Sequence, residues 1–305
     1  MKLLGPSLAV AVLALASQAP AAQLLYGNSA DTGVIKDYNT TTAASTLRYV
    51  STPVGVGGLA ANDAGARLYV AFGGGGTIAQ PTDNFYVYDY NGNLVNTART
   101  GNTSLGGTGG GVSMSGLTYA NSTIYGVHQN GTTAAGGIYT INPANGDIAL
   151  AGSLFASGVA SYNFQDIDYD EANGRFIGVN TAVSGVGGSA AGLYSIVLPS
   201  TPSALATVTL LAGLPGDAPT GNTTPDGLAF DDASGTVYLT YNRSTTISRY
   251  SLTTAAYLAS VTGAAQTQGA SGDAAFASGY VGAVPEPTLL AAAPLLAALL
   301  RRRRA

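Results

Sequence analysis

The chain has 305 residues with no cysteine, one histidine and two glutamates, and charged side chains make up only 9% of it. The missing cysteine excludes disulfides, thiolate nucleophiles and cysteine-based zinc centres. Seven of the 12 basic and 15 of the 16 acidic residues lie between residues 23 and 283, so the body carries a formal charge of −8 and repels phosphate backbones, which argues against nucleic acid as a partner.

At the N-terminus, Met1-Lys2 precedes an apolar run from Leu3 to Ala16 and then Ser17-Gln18-Ala19-Pro20-Ala21-Ala22. One positive charge, a short apolar stretch and a small-residue exit with Ala19 and Ala21 in A-x-A spacing describe a secretory signal peptide over residues 1–22, cut after Ala21 or Ala22. The mature protein is then expected outside the cytoplasm.

Residues 23–283 show no sustained helical period. Short Val, Ile, Leu, Tyr and Thr runs alternate with Gly, Asn and Asp clusters, which predicts an all-β body. Five segments resemble one another: Gly58 to Ala61, Gly116 to Tyr119, Asp166 to Tyr169, Gly227 to Phe230 and Asp273 to Phe276. The first four each lead through a turn to a second strand: Arg67 to Val70, Ile124 to Val127, Arg175 to Gly178 and Thr236 to Leu239. Tyr-centred third strands follow at Phe85 to Asp89, Gly137 to Ile141, Gly192 to Ile196 and Ile247 to Ser251. With Leu59, Leu117, Ile167, Leu228 and Ala274 as equivalents, the repeat spacings are 58, 50, 61 and 46 residues.

Four short strands per repeat of about 50 residues signify a β-propeller of five blades, or six if a long loop holds a degenerate one. The fifth repeat runs out after its first strand. The mature N-terminus supplies the missing strands at Leu24 to Gly27, Val34 to Tyr38 and Leu47 to Val50, so the ring is expected to close by pairing both ends of the chain in one blade. A β-sandwich or a β-helix is the competing arrangement.

The tail, residues 284–305, reads Val284-Pro285-Glu286-Pro287, an apolar run from Leu289 to Leu300, and Arg301-Arg302-Arg303-Arg304. The apolar run is shorter than the roughly 20 residues that span a bilayer comfortably, and the arginines hold the end on the cytoplasmic side. It reads as a short apolar helix and temporary membrane stop. This order of Pro-Glu-Pro, apolar segment and arginine cluster resembles the PEP-CTERM sorting signal of Gram-negative bacteria that make extracellular polysaccharide. The resemblance covers about the last 22 residues. It implies recognition of Pro-Glu-Pro by an exosortase in the inner membrane, removal of the tail, and a destination in the cell envelope or outside the cell.

For chemistry within the body, the sequence offers little. Glu171 falls in a hairpin turn and Glu286 in the tail, so a glycosidase pair would have to be aspartates. The single histidine, His128, ends a strand and has no G-x-S-x-G elbow beside it. Asp166, Asp168 and Asp170 alternate along one strand, so Asp166 and Asp168 share a face. Asp166 and Asp273 hold equivalent repeat positions, and Asp226 precedes the equivalent Gly227. These four acids are the candidates for a Ca2+ or other divalent site at the channel, against a reading in which they cap turns and no cofactor is bound. The glycine runs at Gly73 to Gly76 and Gly106 to Gly111 lack the lysine of a phosphate loop and are expected to be surface loops. Tyr90 and Tyr162 are candidate stacking platforms for sugars.

Two functions fit: a non-enzymatic binding or structural module that meets exopolysaccharide or a matrix component, and a hydrolase or lyase acting on polysaccharide or a lactone with a divalent cation.

Overall fold

A computed structural model describes residues 23–28, 34–49, 56–71, 84–99, 114–128, 136–157, 160–182, 188–214, 225–265 and 272–277. The signal segment, the tail and both glycine runs lie outside the described residues. No helix among the described residues is long and apolar enough to cross a membrane.

The Asn, Asp and Gly clusters turn the chain as their chemistry requires. Gly174 and Gly235, at φ +62° and +64°, close the hairpins that follow Asp170 and Asp231, a backbone state that costs glycine nothing. Asp170 caps its turn by accepting from the Asn173 amide at 3.1 Å, and it takes the Arg175 guanidinium at 2.9 Å. Among the described residues the strands between such turns form four antiparallel sheets of four strands, one of five in which two short strands share the outermost position, and a two-stranded ribbon.

Blade 1 runs from the axis outward as β23 (Gly272–Ala277), β1 (Gln23–Asn28), β2 (Val34–Asn39) and β3 (Ala44–Tyr49). Blade 2 is β4 (Gly58–Asn62), β5 (Arg67–Ala71), β6 (Asn84–Asp89) and β7 (Leu94–Arg99). Blade 3 is β8 (Gly116–Ala120), β9 (Thr123–His128), β10 (Gly137–Ile141) and β11 (Ile148–Ser153). A small ribbon, β12 (Phe155–Ala156) with β13 (Ala160–Ser161), bridges to blade 4, which is β14 (Asn163–Asp170), β15 (Arg175–Thr181), β16 (Gly192–Val197) and β17 (Thr207–Gly213). Blade 5 is β18 (Pro225–Asp231), β19 (Thr236–Tyr241) and β20 (Thr246–Ser251), with an outer strand broken into β21 (Ala256–Tyr257) and β22 (Val261–Thr262).

The ring closes through blade 1, where the last strand pairs with the first: Leu24 opposite Phe276, Leu25 opposite Ala275 and Tyr26 opposite Ala274. This is the closure expected from the incomplete fifth repeat. Packing confirms a ring over a sandwich, because the apolar core is divided among the five junctions between neighbouring blades. Leu25 and Ile35 of blade 1 meet Leu59, Val70 and Tyr88 of blade 2. Phe85 and Tyr69 of blade 2 meet Leu117 and Ile141 of blade 3, and Val127 and Ile138 meet Ile167 and Phe176 of blade 4. Ile177 and Leu193 then meet Leu228 and Leu239 of blade 5, and Tyr238 and Ile247 return to Leu24 and Ala274 of blade 1. Each side chain so buried contributes roughly 1.5–3 kcal/mol of transfer free energy. The blades are therefore held by what lies between them.

Candidate binding site in the central channel

The five inner strands β4, β8, β14, β18 and β23 have a sheet partner on one side only. In an antiparallel ladder every second residue turns its N–H and C=O away from that partner. Those groups point at the axis, and the ones that are buried need partners.

At the waist of the channel the inward amides belong to Leu59, Leu117, Ile167, Leu228 and Ala274, one from each blade. Two carboxylates serve all five. Asp273 Oδ2 accepts from the amides of Leu59 and Leu117, the latter at 2.8 Å, while Oδ1 accepts from Ala274 at 2.6 Å. Asp166 Oδ1 accepts from Ile167 at 2.7 Å, and its Oδ2 accepts from Leu228 at 2.5 Å and Ala274 at 3.3 Å. Both acids are completely buried. They hold equivalent positions of their repeats, where the other three blades carry Gly58, Gly116 and Gly227. A Cβ on Gly116 would lie 2.6 Å from Asp166 Cα, and one on Gly227 would lie 2.6 Å from the Asp273 carbonyl carbon. Two acids and three glycines thus fill one cross-section of the channel.

Burial pushes the Asp166 carboxyl well above the ordinary carboxylate range, and the charge of Asp273 adds to the rise. Burial also raises Asp273, against hydrogen bonds from Asp166 and from the amides of Leu59, Leu117 and Ala274. Two buried carboxyl groups raised together in this way titrate as one unit and not as two independent acids.

One layer further along, the inward amides are those of Ala61, Tyr119, Tyr169, Phe230 and Phe276. Here Asp168 covers blades 4 and 5, its Oδ1 accepting from Tyr169 at 2.8 Å and its Oδ2 from Phe230 at 2.7 Å. The Thr118 hydroxyl donates to Oδ1 at 2.6 Å. Asp166 and Asp168 do share a face, both reaching across to blade 5. Burial pushes the Asp168 carboxyl up to about 6 against these hydrogen bonds.

Above this layer the channel opens into a funnel of about 430 Å³ on the side of the inner hairpin turns. The titratable groups lining it are Asp63, Asp168, Glu171, Asp231, Asp232, Tyr119 and Tyr169, with no lysine, arginine or histidine among the described residues. The Asp232 carboxyl is pushed up to about 6, chiefly by burial.

Asp226 stands apart from the waist pair. It lies in the bulge of β18, toward the other end of the channel, and is 3% exposed with no hydrogen-bond partner for Oδ2 among the described residues. Burial alone pushes its carboxyl up to about 7. Asp166, Asp168 and Asp273 therefore converge on the axis while Asp226 does not join them. No group of three acids or histidines with metal-binding geometry occurs among the described residues. His128 closes β9 opposite Gly137 and takes no part in the funnel lining.

The two tyrosines expected as exposed platforms are half-buried. Tyr162 stacks on Phe164 at 5.6 Å and meets Tyr194 edge-on at 5.7 Å, and Tyr90 packs on the blade 1–2 core with its hydroxyl donating to Asp63 at 2.5 Å. The sequence reading missed Thr118 and the two rings of inward amides. The signal for the first ring is present in the Gly, Gly, Asp, Gly, Asp order at the position before each repeat leucine or its equivalent.

No family model matches the chain, and no curated protein matches it. Solved structures with a similar course include a nidogen/laminin complex, at 12% identity over 84% of this chain and 98% of that one with a TM-score of 0.46. The Cps50 (Swd1) β-propeller domain of Myceliophteria thermophila aligns at 11% identity over 81% and 85% with a TM-score of 0.42. A putative 6-phosphogluconolactonase from Bacteroides uniformis aligns at 13% identity over 80% and 68% with a TM-score of 0.41. The chain's own five sheets and the five apolar junctions between them make it a five-bladed β-propeller.

Proposed function

We propose that this protein is an exported, non-enzymatic binding module of the cell envelope or extracellular matrix, delivered by the PEP-CTERM route, whose ligand is a component of extracellular polysaccharide. The observation that carries this reading is the state of the channel carboxylates. All four oxygens of Asp166 and Asp273 already accept backbone N–H bonds, as do both oxygens of Asp168. A carboxylate whose lone pairs are occupied in this way makes a poor base, nucleophile or cation ligand. The open part of the site is a funnel whose lining joins Tyr119, Tyr169 and Phe276 to several carboxylates, a surface that suits hydroxylated rings.

The test is retention of the mature protein on the producer's own exopolysaccharide, set against retention on an unrelated neutral polymer. Equal retention on both would remove the binding reading. A hydrolase or lyase using a divalent cation is the second reading, favoured by Asp226 with its partnerless buried oxygen. Metal analysis of the purified protein separates the two, since that enzyme requires a stoichiometric divalent ion.

A further inference from the structure

We infer that the bulge of β18 is a site for one alkali-metal cation, sodium or potassium, held by the Asp226 carboxylate and the Thr240 hydroxyl against the strand that closes the ring. Its role is structural and independent of any glycan.

The residues immediately before the five waist positions are Gly57, Ser115, Gln165, Asp226 and Gly272. In β14 and β18 this residue is the extra one of a bulge: Phe164 and Asp166 pair with Asn180 and Val179, and Pro225 and Gly227 pair with Tyr241 and Thr240. A bulge re-aims a side chain, and two of the three polar members of the series show where. The Ser115 hydroxyl donates to the Val127 carbonyl at 3.2 Å and to the carbonyl of Phe164, in the next blade, at 3.3 Å. Gln165 donates to the Thr181 hydroxyl at 3.1 Å, and Thr181 shares the face on which Val179 packs against blade 5. Both side chains turn toward the following blade. Asp226, the third, is thereby turned toward blade 1. Thr240 occupies that same face, since a Cβ on its partner Gly227 would lie 2.6 Å from Thr240 Oγ1 and 2.8 Å from the Ala274 nitrogen in β23.

Ser115 and Gln165 find partners there, and Asp226 does not. Its Oδ2 and Thr240 Oγ1 are both buried without a hydrogen-bond partner. Burial is the only influence on the Asp226 carboxyl, so no basic side chain among the described residues offsets its charge. Two orphaned oxygens, one of them able to carry a full charge, are costly in one buried place. A water molecule could donate to both and would leave the charge unbalanced. A hard cation meets both needs, because such ions take carboxylate and neutral oxygens together. The charge of the ion follows from the count of free carboxylates. Asp166 and Asp273, the next acids along the channel, spend their oxygens on backbone amides, so the site offers one negative charge. A singly charged ion neutralises it, whereas a divalent ion would leave a buried positive charge. Seated beside β23, the ion draws blade 5 onto the last strand of the chain.

The experiment is thermal melting at pH 8 of the protein isolated from producing cells, in sodium, potassium or tetramethylammonium chloride at equal ionic strength, with calcium chloride as a further arm. Tetramethylammonium is too bulky for a buried site and supplies the baseline. Sodium or potassium at about ten times its dissociation constant raises the melting temperature by roughly 3–6 °C over that baseline, and the larger shift names the ion. Asp226→Asn melts above the parent in tetramethylammonium chloride, because the uncompensated carboxylate is gone, and it loses the difference between the salts. Thr240→Val keeps the shape of its side chain and reduces that difference by at least half. One melting temperature for the parent in all three monovalent salts overturns the inference. So does a variant that responds to the alkali-metal ions as the parent does, or calcium stabilising the parent more than either of them.

Discussion

Asp273→Ala tests whether the waist acids hold the ring together. The substitution removes the acceptor of the Leu59 and Leu117 amides, which lie on the buried inner strands of blades 2 and 3; Ala274 keeps Asp166 at 3.3 Å. A buried donor left without a partner costs about 1–3 kcal/mol, so two cost roughly 2–6 kcal/mol. Asp166 gains on the other side, because the like charge beside it is gone. The expected net loss is about 2–4 kcal/mol, and at roughly 2–4 °C per kcal/mol for a domain of this size the melting temperature falls by about 4–16 °C. The companion Asp166→Asn keeps the shape but accepts through one oxygen only, so the amide of either Ile167 or Leu228 faces an NH2 group and the variant loses roughly 1–3 kcal/mol even at acidic pH. The pH dependence has a definite sign. Asp166 has a raised folded pKa, so the stability it contributes is complete below the ordinary carboxylate value of about 4 and is lost as pH rises through the folded value. The parent therefore weakens toward alkaline pH, and Asp166→Asn flattens that slope. Urea titration at pH 5 and pH 8 measures both. An Asp273→Ala protein within about 0.5 kcal/mol of the parent would mean that the amides find water as readily as carboxylate, and the waist would carry no stability.

Asp226→Asn removes a buried carboxyl whose raised pKa of about 7 costs stability progressively between about pH 4 and pH 7; the variant gains more over the parent at pH 8 than at pH 5, read from the same urea titrations. Gly116→Ala places a methyl 2.6 Å from Asp166 Cα and costs roughly 1–3 kcal/mol of overpacking, against less than 0.5 kcal/mol for an alanine at Gly213, where nothing lies within 4 Å. Changing Pro285 and Pro287 to alanine leaves an uncleaved, membrane-associated form, whereas the parent lacks everything after about Val284 to Pro287; intact-mass spectrometry of envelope and extracellular fractions distinguishes them.

Much of the fold is legible because it is written in side chains. The Tyr-centred strands, the Asn-Gly and Ser-Gly turns and the incomplete fifth repeat carry the blade number and the closure, and the paired positions of Asp166 and Asp273 place both acids on the axis. What those acids do there is not legible in the same way. Their partners are backbone amides of Leu59, Leu117 and Leu228, groups that every residue but proline has and that no letter of the sequence marks. Two acids meeting in a channel therefore suggest a cation, and nothing in the sequence shows the five N–H donors that also meet there. Tyr162 misleads for a related reason: its polar neighbours in sequence, Ser161 and Asn163, say nothing of Phe164 and Tyr194, which pack against its ring.

The blade shared by both ends of the chain also sets the order of events in folding. Until residues 272–277 arrive, blade 1 lacks its innermost strand, the wall it shares with blade 5 lacks Ala274, and the amides of Leu59 and Leu117 at the waist have no Asp273 to receive them. Contacts between residues more than 200 positions apart, such as Leu59 with Asp273, form slowly because a long loop must close first. A chain emerging from its N-terminus thus remains an open arc through most of its synthesis. Its last strand converts the arc to a ring in one step, so that protease resistance appears only when the whole body has emerged.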